Sequence, residues 1–144
     1  MLDYQQLKEI LPQAYPFLLI DRVEEYKEGE RLVAVKNITC NEWTSGGGET
    51  PAFPEVLLIE AAAQAALVLY HLSKIKDGPR PRYVLGRAEG EFENQVFVGN
   101  KLIIETFASK MLDKLGYMDI HMVSNNIPIA KIKIMYSATY EKKD

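Results

Sequence analysis

The chain has 144 residues, 47% of them hydrophobic and 26% charged, which is the length and composition of one globular domain. Its 17 Lys and Arg residues against 20 Asp and Glu residues leave a net charge of -3, so it lacks the basic surplus that attracts nucleic acid. Cys40 is the single cysteine, which excludes an internal disulfide and any zinc site built on two or more thiolates. We therefore expect one domain over residues 1–144, with no cofactor, metal ion or nucleic-acid partner.

The N-terminal segment is predicted to begin the folded domain. It has no basic start followed by an apolar run, so it does not indicate a secretory signal, and we expect a cytoplasmic location. Leu2, Leu7 and Ile10 are spaced as on an amphipathic helix that stops before Pro12. The segment 2–10 is therefore predicted to be a short helix.

Two paired strands and a loop are predicted next. Residues 31–39 are rich in β-branched side chains and follow a turn signal at residues 27–30. Residues 17–23 are predicted to be the partner strand. Three consecutive glycines, at positions 46 to 48, and prolines at 51 and 54 then predict an irregular loop over residues 41–54.

The segment 55–76 is predicted to be the long helix of the domain. It consists of strong helix formers and ends before an Asp-Gly-Pro turn. Its apolar part contains Glu60 and Gln64 and is shorter than the roughly 20 apolar residues of a membrane span. A helix that is apolar on nearly every side must be enclosed by other elements. We therefore expect a buried central helix and no membrane span.

The rest of the chain is predicted to form a sheet. The predicted strands are residues 82–92, 101–110, 115–124 and 127–140. From Ile132 to Ala138 of the last strand, every second side chain is typical of a buried face, which is the period of a strand. Asn125 and Asn126 are typical of a hairpin turn. One long helix with about six strands predicts an α+β fold, in which an antiparallel sheet folds around a helix.

Three stretches carry a resemblance to a known family. They are residues 11–23 (LPQAYPFLLIDRV), residues 35–42 (VKNITCNE) and residues 51–65 (PAFPEVLLIEAAAQA). They resemble the β-hydroxyacyl-acyl carrier protein dehydratases of bacterial fatty-acid synthesis, and the turn Val98-Gly99-Asn100 extends the likeness over most of the chain. The resemblance implies a hotdog fold, an antiparallel β-sheet wrapped around one long central helix, in agreement with the pattern above.

The same resemblance implies a ligand and an assembly. Proteins of this family bind thioesters of acyl carrier protein or CoA, in a tunnel near a subunit boundary. They form homodimers or higher assemblies of dimers, and acyl carrier protein itself is then a candidate partner.

The resemblance also implies a site made by two chains, with a histidine from the loop and a glutamate from the helix. The glutamate corresponds to Glu60. The histidine corresponds to Gly46 when the motif is counted back from Pro51, and to Gly48 when it is counted forward from Asn41. Neither count finds an imidazole, so the resemblance implies a scaffold without its usual base.

Other site positions follow from the same motif. A family glycine before the helix, whose backbone N–H helps to hold the thioester carbonyl, is here Glu55, and a histidine often found early in the family is Gln13. Glu60 is the predicted catalytic residue. The predicted substrate-binding residues are Gly46, Pro54, Glu55, Val56 and Gln64.

The two histidines of the sequence are not predicted to replace the missing one. At about 100° per residue, Gln64 and His71 share a helix stripe with Glu60. His71, however, lies about 16 Å further along the helix axis, too far to touch Glu60. His121 alternates with Asp119 on a strand face predicted to be solvated, and a third histidine for a metal site is missing.

The chemistry leaves several functions open. Dehydrating a 3-hydroxyacyl thioester needs a base for the α-proton, an acid for the leaving hydroxyl and donors for the enolate oxygen, and Glu60 supplies only part of this. The first hypothesis is an acyl-thioester binding protein that lacks ordinary dehydratase chemistry on its own. The alternatives are an active dehydratase or a mixed dimer that uses a partner histidine, a thioesterase with Glu60 as base or nucleophile, and a non-enzymatic interaction module.

Overall fold

The structure, a computed structural model, describes residues 1–13, 17–39, 52–76, 78–79 and 81–140. Its elements are α1 (Tyr4–Ile10), β1 (Arg22–Lys27), β2 (Arg31–Asn37), α2 (Glu55–Tyr70) with a π-helical turn (His71–Ile75), β3 (Arg82–Phe92), β4 (Lys101–Met111), β5 (Leu115–Ser124) and β6 (Ile127–Thr139). The described strands form an antiparallel six-stranded sheet in the order β1-β2-β4-β5-β6-β3. Cys40, Gly46, Gly48 and most of the predicted loop over 41–54 lie outside the described residues.

Helix α1 begins at a capping box and starts later than predicted. The Asp3 side chain accepts a hydrogen bond from the Gln6 backbone N–H at 2.9 Å, and the Gln6 side chain accepts one from the Asp3 N–H at 2.9 Å. Leu2 stays outside the helix because it exchanges two backbone hydrogen bonds with Val23. The segment before α1 therefore pairs with β1 at Val23.

The predicted partner of β2 was placed too early in the sequence. The strand that pairs with β2 is Arg22–Lys27, not residues 17–23. The reason is a tight turn, in which the Glu30 N–H donates to the Lys27 carbonyl at 3.0 Å and Gly29 has φ 70°. This turn requires β1 to continue up to Lys27. Residues 17–20 instead run across α2.

Helix α2 lies in the concave face of the sheet and contacts every strand from β2 to β6. Its alanines at 61, 62, 65 and 66 are fully buried, and such small side chains allow the strands to approach closely. By length and composition alone the stretch Glu55–Ile75 could span a membrane, but 56% of the apolar 18-residue segment within it is buried inside the fold. The prediction of a buried central helix is confirmed, and its last turn is π-helical, which was not predicted.

The sheet after α2 agrees with the predicted strands. β3 and β5 have the predicted bounds, and β4 and β6 differ from them by one residue. Asn125 and Asn126 both have positive φ, 52° and 64°, as a two-residue type I′ hairpin turn requires. The predicted core face of β6, from Ile132 to Ala138, is buried at every second residue. These features confirm the α+β architecture of a sheet wrapped around one helix.

Candidate functional site

Glu60 lies half-buried on α2 and accepts hydrogen bonds from two side-chain amides. The Gln64 Nε2 atom, one helical turn further on, donates to Glu60 Oε1 at 3.1 Å. Gln13, in the segment after α1, donates from its Nε2 to the same oxygen at 3.4 Å. The predicted proximity of Glu60 and Gln64 is confirmed. The other amide bonded to Glu60, that of Gln13, comes from a distant part of the chain.

Gln64 is 1% exposed and uses its whole amide for hydrogen bonds inside the protein. Besides its bond to Glu60, its Nε2 donates to the Phe17 carbonyl at 2.8 Å, and its Oε1 accepts from the Leu19 backbone N–H at 2.8 Å. A buried amide is tolerated in an apolar helix when it is satisfied in this way. Gln64 therefore fastens the segment 17–19 to α2 and positions Glu60, and its predicted contact with a substrate stays a prediction.

Gln13 is engaged at only one end of its amide. Its Oε1 is buried and has no hydrogen-bond partner among the residues that the structure describes. Such an acceptor is costly to leave unpaired in a low-dielectric site. A donor from a bound molecule would satisfy it. Gln13 therefore offers both a contact to Glu60 and a free acceptor beside it.

A cavity of about 130 Å³ adjoins these three side chains. The residues that line it are Pro12, Gln13, Glu60, Ala63, Gln64, Leu67, Tyr83, Leu85 and Tyr136. Its polar groups are concentrated at Glu60, and the remaining walls are aliphatic or aromatic. Small-molecule sites in proteins share this combination of apolar walls with a few placed polar groups.

Three tyrosine rings from α2, β3 and β6 pack edge to face at the apolar end of the cavity. The ring of Tyr136 lies 5.4 Å from that of Tyr70 and 6.2 Å from that of Tyr83. The Tyr136 hydroxyl donates to the Ala66 carbonyl at 2.9 Å, and the Tyr70 hydroxyl donates to the Asp113 carbonyl. Burial raises the pKa of Tyr136 and of Tyr70, so both phenols remain protonated near neutral pH.

His71 lies at the end of α2, beside this aromatic group. Its Nδ1 is 3.2 Å from the Tyr83 hydroxyl. Tyr83 in turn lines the cavity. His71 therefore approaches the cavity through Tyr83 and not through Glu60, which agrees with the prediction from the helix spacing.

The other predicted substrate-binding residues lie away from this lining. Pro54 is the N-cap of α2, and Glu55 and Val56 occupy its first turn, where the Val56 side chain is 70% exposed. None of these three lines the cavity in the described chain. Gly46 falls outside the described residues. The predicted roles of these four positions at a thioester stay predictions.

His121 lies on the outer face of the sheet, as its strand pattern predicts. Its ring packs against that of Phe107 at 5.6 Å. A wider, mixed-charge depression of about 380 Å³ surrounds it, between β3, β5 and β6. In the described part of the chain, no group of three or more His, Cys, Asp or Glu side chains is arranged to hold a metal ion.

Sequence reasoning missed the apolar residues of the cavity. Alternation placed Tyr136 on the buried face of β6 but could not show that it borders an empty space. Leu67 and Tyr83 carry no signal that separates them from ordinary core residues. The sequence feature that comes nearest to indicating the cavity wall is Gly116, which lies opposite Tyr136 on the neighbouring strand. A glycine at such a position leaves space for a large ring.

Comparison with known proteins identifies close sequence relatives. The model of the family described as FabA-like domain matches residues 11–133. The chain is 39% identical over 118 residues to a 3-hydroxyacyl-[acyl-carrier-protein] dehydratase FabZ from Bacillus cereus, with 81% of each chain covered. It is 33% identical over 139 residues to the same enzyme from Listeria welshimeri, with 95% of this chain and 96% of that protein covered.

Solved structures share the fold at lower sequence identity. The dehydratase heterocomplex ApeI:P from Xenorhabdus doucetiae superposes with a TM-score of 0.81 at 12% identity, covering 94% of this chain and 91% of that one. Zebra fish thioesterase superfamily member 2 gives a TM-score of 0.71 at 14% identity, covering 95% and 99%. The same wrapped sheet thus occurs in a protein described as a dehydratase and in one described as a thioesterase.

Proposed function

Because the chain belongs to the FabA-like family and has a hotdog fold, we propose that it binds acyl thioesters in the cavity beside Glu60 and lacks ordinary dehydratase chemistry on its own. The carrier of the acyl group is acyl carrier protein, as in the names of the curated relatives, or CoA. A carboxylate at the polar end of an apolar cavity supports the binding of a thioester with its acyl group against the apolar walls.

One observation carries the proposal: Glu60 stands at the polar end of the cavity, and no histidine is among the described residues that line it. The two hydrogen bonds that Glu60 accepts from described residues both end on Oε1. Its Oε2 is therefore available to a ligand or to water. We assign Glu60 Oε2 as the atom of the site that contacts the bound thioester.

Among the described residues, the two hydrogen-bond partners of Glu60 and the phenol of Tyr136 do not supply the second proton carrier that dehydration requires. The amides of Gln13 and Gln64 neither take up nor release protons near neutral pH. The phenol of Tyr136 is bonded to Ala66, and burial raises its pKa. A dehydratase must both remove the α-proton and protonate the leaving hydroxyl, so Glu60 alone performs half of the task.

We further propose that two copies assemble along β3 and that the protein is cytoplasmic. β3 pairs only with β6 among the described strands and is an open sheet edge. Its Leu85 is 50% exposed and also lines the cavity. A strand added to this edge would therefore lie beside the cavity and complete its wall, which supports a dimer or an assembly of dimers.

Parallel binding and turnover measurements test the proposal. We expect wild-type protein to bind butanoyl-CoA in calorimetry and to show no hydration of crotonyl-CoA that depends on Glu60. Glu60→Gln is the matched control because it keeps the size of the side chain and removes its charge. Hydration that Glu60→Gln abolishes would contradict the missing chemistry, and failure to bind any acyl thioester would contradict the binding function.

Restoring a histidine tests the same proposal by gain of function. Gly46→His and Gly48→His cover the two counts of the family motif. We expect one of them to gain hydration of crotonyl-CoA, and the gain to disappear when Glu60→Gln is added. Gly47→His is the matched control, because neither count places the family histidine there. If both variants fold, bind butanoyl-CoA and remain inactive, Glu60 does not belong to a dehydratase-type site.

A mixed dimer is the second candidate, favoured by the position of the cavity at the open edge. A different chain of the same fold, carrying a histidine, would meet Glu60 across β3. The solved structure from Xenorhabdus doucetiae, which has the same fold, is described as a dehydratase heterocomplex. Purification of the tagged protein from its native source tests this candidate: a second hotdog chain in stoichiometric amount would support it, and a homodimer alone would contradict it.

A thioesterase is the remaining outcome of the turnover measurement. In that case Glu60 would activate water to attack the thioester carbonyl, or would itself attack it to form an acyl-enzyme anhydride that water then hydrolyses; in both routes the carrier leaves as its thiol. Release of free thiol from acyl-CoA, abolished in Glu60→Gln, would replace the binding function with this activity. Crotonyl-CoA hydration and thiol release are separate signals, so the outcomes are distinguishable.

A further inference from the structure

We propose that Tyr136 closes the acyl cavity and makes the protein selective for short acyl groups, of about six carbons or fewer. This inference rests on the proposed acyl-thioester function and names the class of substrate within it. It depends on the volume of the cavity, on the identity of its apolar wall and on the contacts that hold the Tyr136 ring in place.

The cavity volume limits the acyl group. The space beside Glu60 measures about 130 Å³. An apolar protein cavity of about 150 Å³ holds one benzene molecule, that is, six carbon atoms. Sites for larger ligands measure about 300 to 1,000 Å³. In the described part of a single chain, this space therefore holds a butanoyl group but not a whole decanoyl group.

The wall that ends the cavity is rigid. Tyr136 is 4% exposed, and its hydroxyl is fastened to the Ala66 carbonyl at 2.9 Å. The Tyr70 ring packs edge-on against it. To leave the cavity, the Tyr136 ring would have to give up both contacts within a closely packed core.

Gly116 on β5 provides the room for this ring. A Cβ atom added at Gly116 would stand 3.0 Å from Tyr136 Cζ and 3.1 Å from its hydroxyl oxygen. The ring thus lies directly on the Gly116 backbone. Tyr136 on β6 and Gly116 on β5 lie directly opposite each other, so a large side chain faces a residue that has none. The consequence is that the interior position beside α2 is filled by Tyr136 itself rather than left for a ligand.

Leu67 forms the other side of the same wall. It is 8% exposed on α2 and lines the cavity together with Tyr136. Glu60, Ala63, Gln64 and Leu67 follow one another at spacings of three and four residues and form one face of the helix. An acyl chain that starts at Glu60 and follows this face therefore meets Leu67 and Tyr136.

Calorimetric titration with butanoyl-, hexanoyl-, octanoyl- and decanoyl-CoA tests the inference, with free thiol monitored to show that the thioesters stay intact. For the wild type we expect the affinity to be highest for the butanoyl or hexanoyl group and at least about tenfold lower for the decanoyl group. In Tyr136→Ala we expect the decanoyl affinity to rise, by about fourfold for each additional methylene group that becomes buried.

Three further variants separate the wall from general damage to the core. Leu67→Ala opens the cavity from the helix side and carries the test if Tyr136→Ala does not fold. Tyr136→Phe keeps the ring and its contact with Tyr70 but removes the hydrogen bond to Ala66, so its decanoyl affinity is expected to lie between those of the wild type and Tyr136→Ala. Ile134→Ala removes a buried side chain from the same face of β6 that does not line the cavity, and its order of affinities should match that of the wild type.

The results distinguish this inference from the function on which it rests. Equal or tighter binding of decanoyl-CoA than of hexanoyl-CoA by the wild type would overturn the selectivity and leave acyl binding intact. An unchanged order of affinities in both opened variants would overturn the role of the wall. Absence of binding at every chain length, in wild type and variants alike, would instead reject the proposed function.

Discussion

The two edges of the sheet differ in length, in the share of charged side chains (four of six residues in β1, four of eleven in β3) and in what covers them. β1 is a six-residue strand, Arg22–Lys27, in which four side chains are charged. Its residue Val23 is bonded to Leu2, and its side chains form ion pairs, including Arg22 with Glu24 at 2.9 Å. β3 has eleven residues, nearly all exposed, and its Val84 and Leu85 are 43% and 50% exposed.

This difference shows which edge is complete in the single chain. Short, charged and covered strands are the usual means by which proteins protect a sheet edge from pairing with another chain. β1 has all three features. β3 is long, carries exposed apolar side chains and borders the cavity. The cavity therefore lies at the sheet edge that is open to pairing with another chain.

The largest expected effect is on association. Val84→Lys places a positive charge on β3, and in a symmetric dimer the two copies of that charge would repel each other. We expect the dimer dissociation constant to rise by about a hundredfold, as for the loss of an interface hot spot. Sedimentation equilibrium measures it directly.

The matched control is a substitution of the same kind on the other edge. Tyr26 on β1 is 37% exposed, and Tyr26→Lys should leave the dissociation constant unchanged. Equal weakening by both variants would mean that β3 is not the assembly edge. A wild-type chain that remains monomeric at high concentration would reject the dimer outright.

The next largest effect is on stability at the cavity side of α2. Gln64→Leu keeps the approximate size of the side chain but leaves the Phe17 carbonyl and the Leu19 N–H without their partner. The buried Leu19 N–H left unpaired costs about 1 to 3 kcal/mol, and the lost bond to the part-buried Phe17 carbonyl costs about 0.5 to 1.5 kcal/mol, so we expect the free energy of unfolding to fall by about 2 to 4 kcal/mol. Urea unfolding, extrapolated to water, measures this loss.

A fall of less than about 1 kcal/mol would show that the segment 17–19 does not depend on Gln64. Ligand binding supplies a second measurement on the same variant. Because Gln64 also donates to Glu60, the affinity for butanoyl-CoA should fall as well, even under conditions in which the variant is fully folded.

A smaller effect is expected where α2 meets the β1 side of the sheet. The Ser73 hydroxyl accepts the Gly29 N–H at 2.9 Å and lies 3.4 Å from the Tyr26 hydroxyl, which ties the β1–β2 turn to the π-helical end of α2. Ser73→Ala removes this tie, and we expect a loss of about 1 kcal/mol in urea unfolding. Affinity for butanoyl-CoA should not change; a parallel loss of binding would show that the two ends of α2 are coupled.

The sequence predicts local regularities of this molecule well. β5 and β6 follow from alternation of apolar and polar side chains, and the Asn125-Asn126 turn follows from two residues that tolerate positive φ. β1 was displaced because the partner strand was not continued up to the predicted turn at residues 27–30, and because the bridge to Leu2 is not visible in a period-two pattern.

The site shows the same limit. Helical spacing predicts that Glu60 and Gln64 lie together, because they are four residues apart. The contact of Gln13 with Glu60 joins residues 47 positions apart, and the contact of Tyr136 with Ala66 joins residues 70 positions apart. Pattern and spacing do not determine such contacts. The resemblance singled out Gln13 by its place in the motif, but the closing wall of the cavity became visible only in three dimensions.

The smallest expected effect concerns the ion pair between Glu28 and Lys76, 2.8 Å apart, at the β1 side. The Lys76 ammonium lowers the pKa of Glu28 below its ordinary value of 4.5. A lowered carboxyl pKa stabilises the fold above the unfolded-state value, and this contribution is lost as the pH falls through the folded-state value. Because both side chains are exposed, the contribution is small and is screened by salt.

Glu28→Gln should therefore be slightly less stable than the wild type at neutral pH and low salt. Its difference from the wild type should shrink as the pH falls below 4.5 and vanish below the lowered folded-state pKa of Glu28, and also vanish in molar salt. Paired urea titrations at neutral and acid pH measure both changes. A difference that persists in acid would mean that Glu28 acts through packing and not through its charge. The β1–β2 turn would then be held to the π-helical end of α2 by packing rather than by this ion pair.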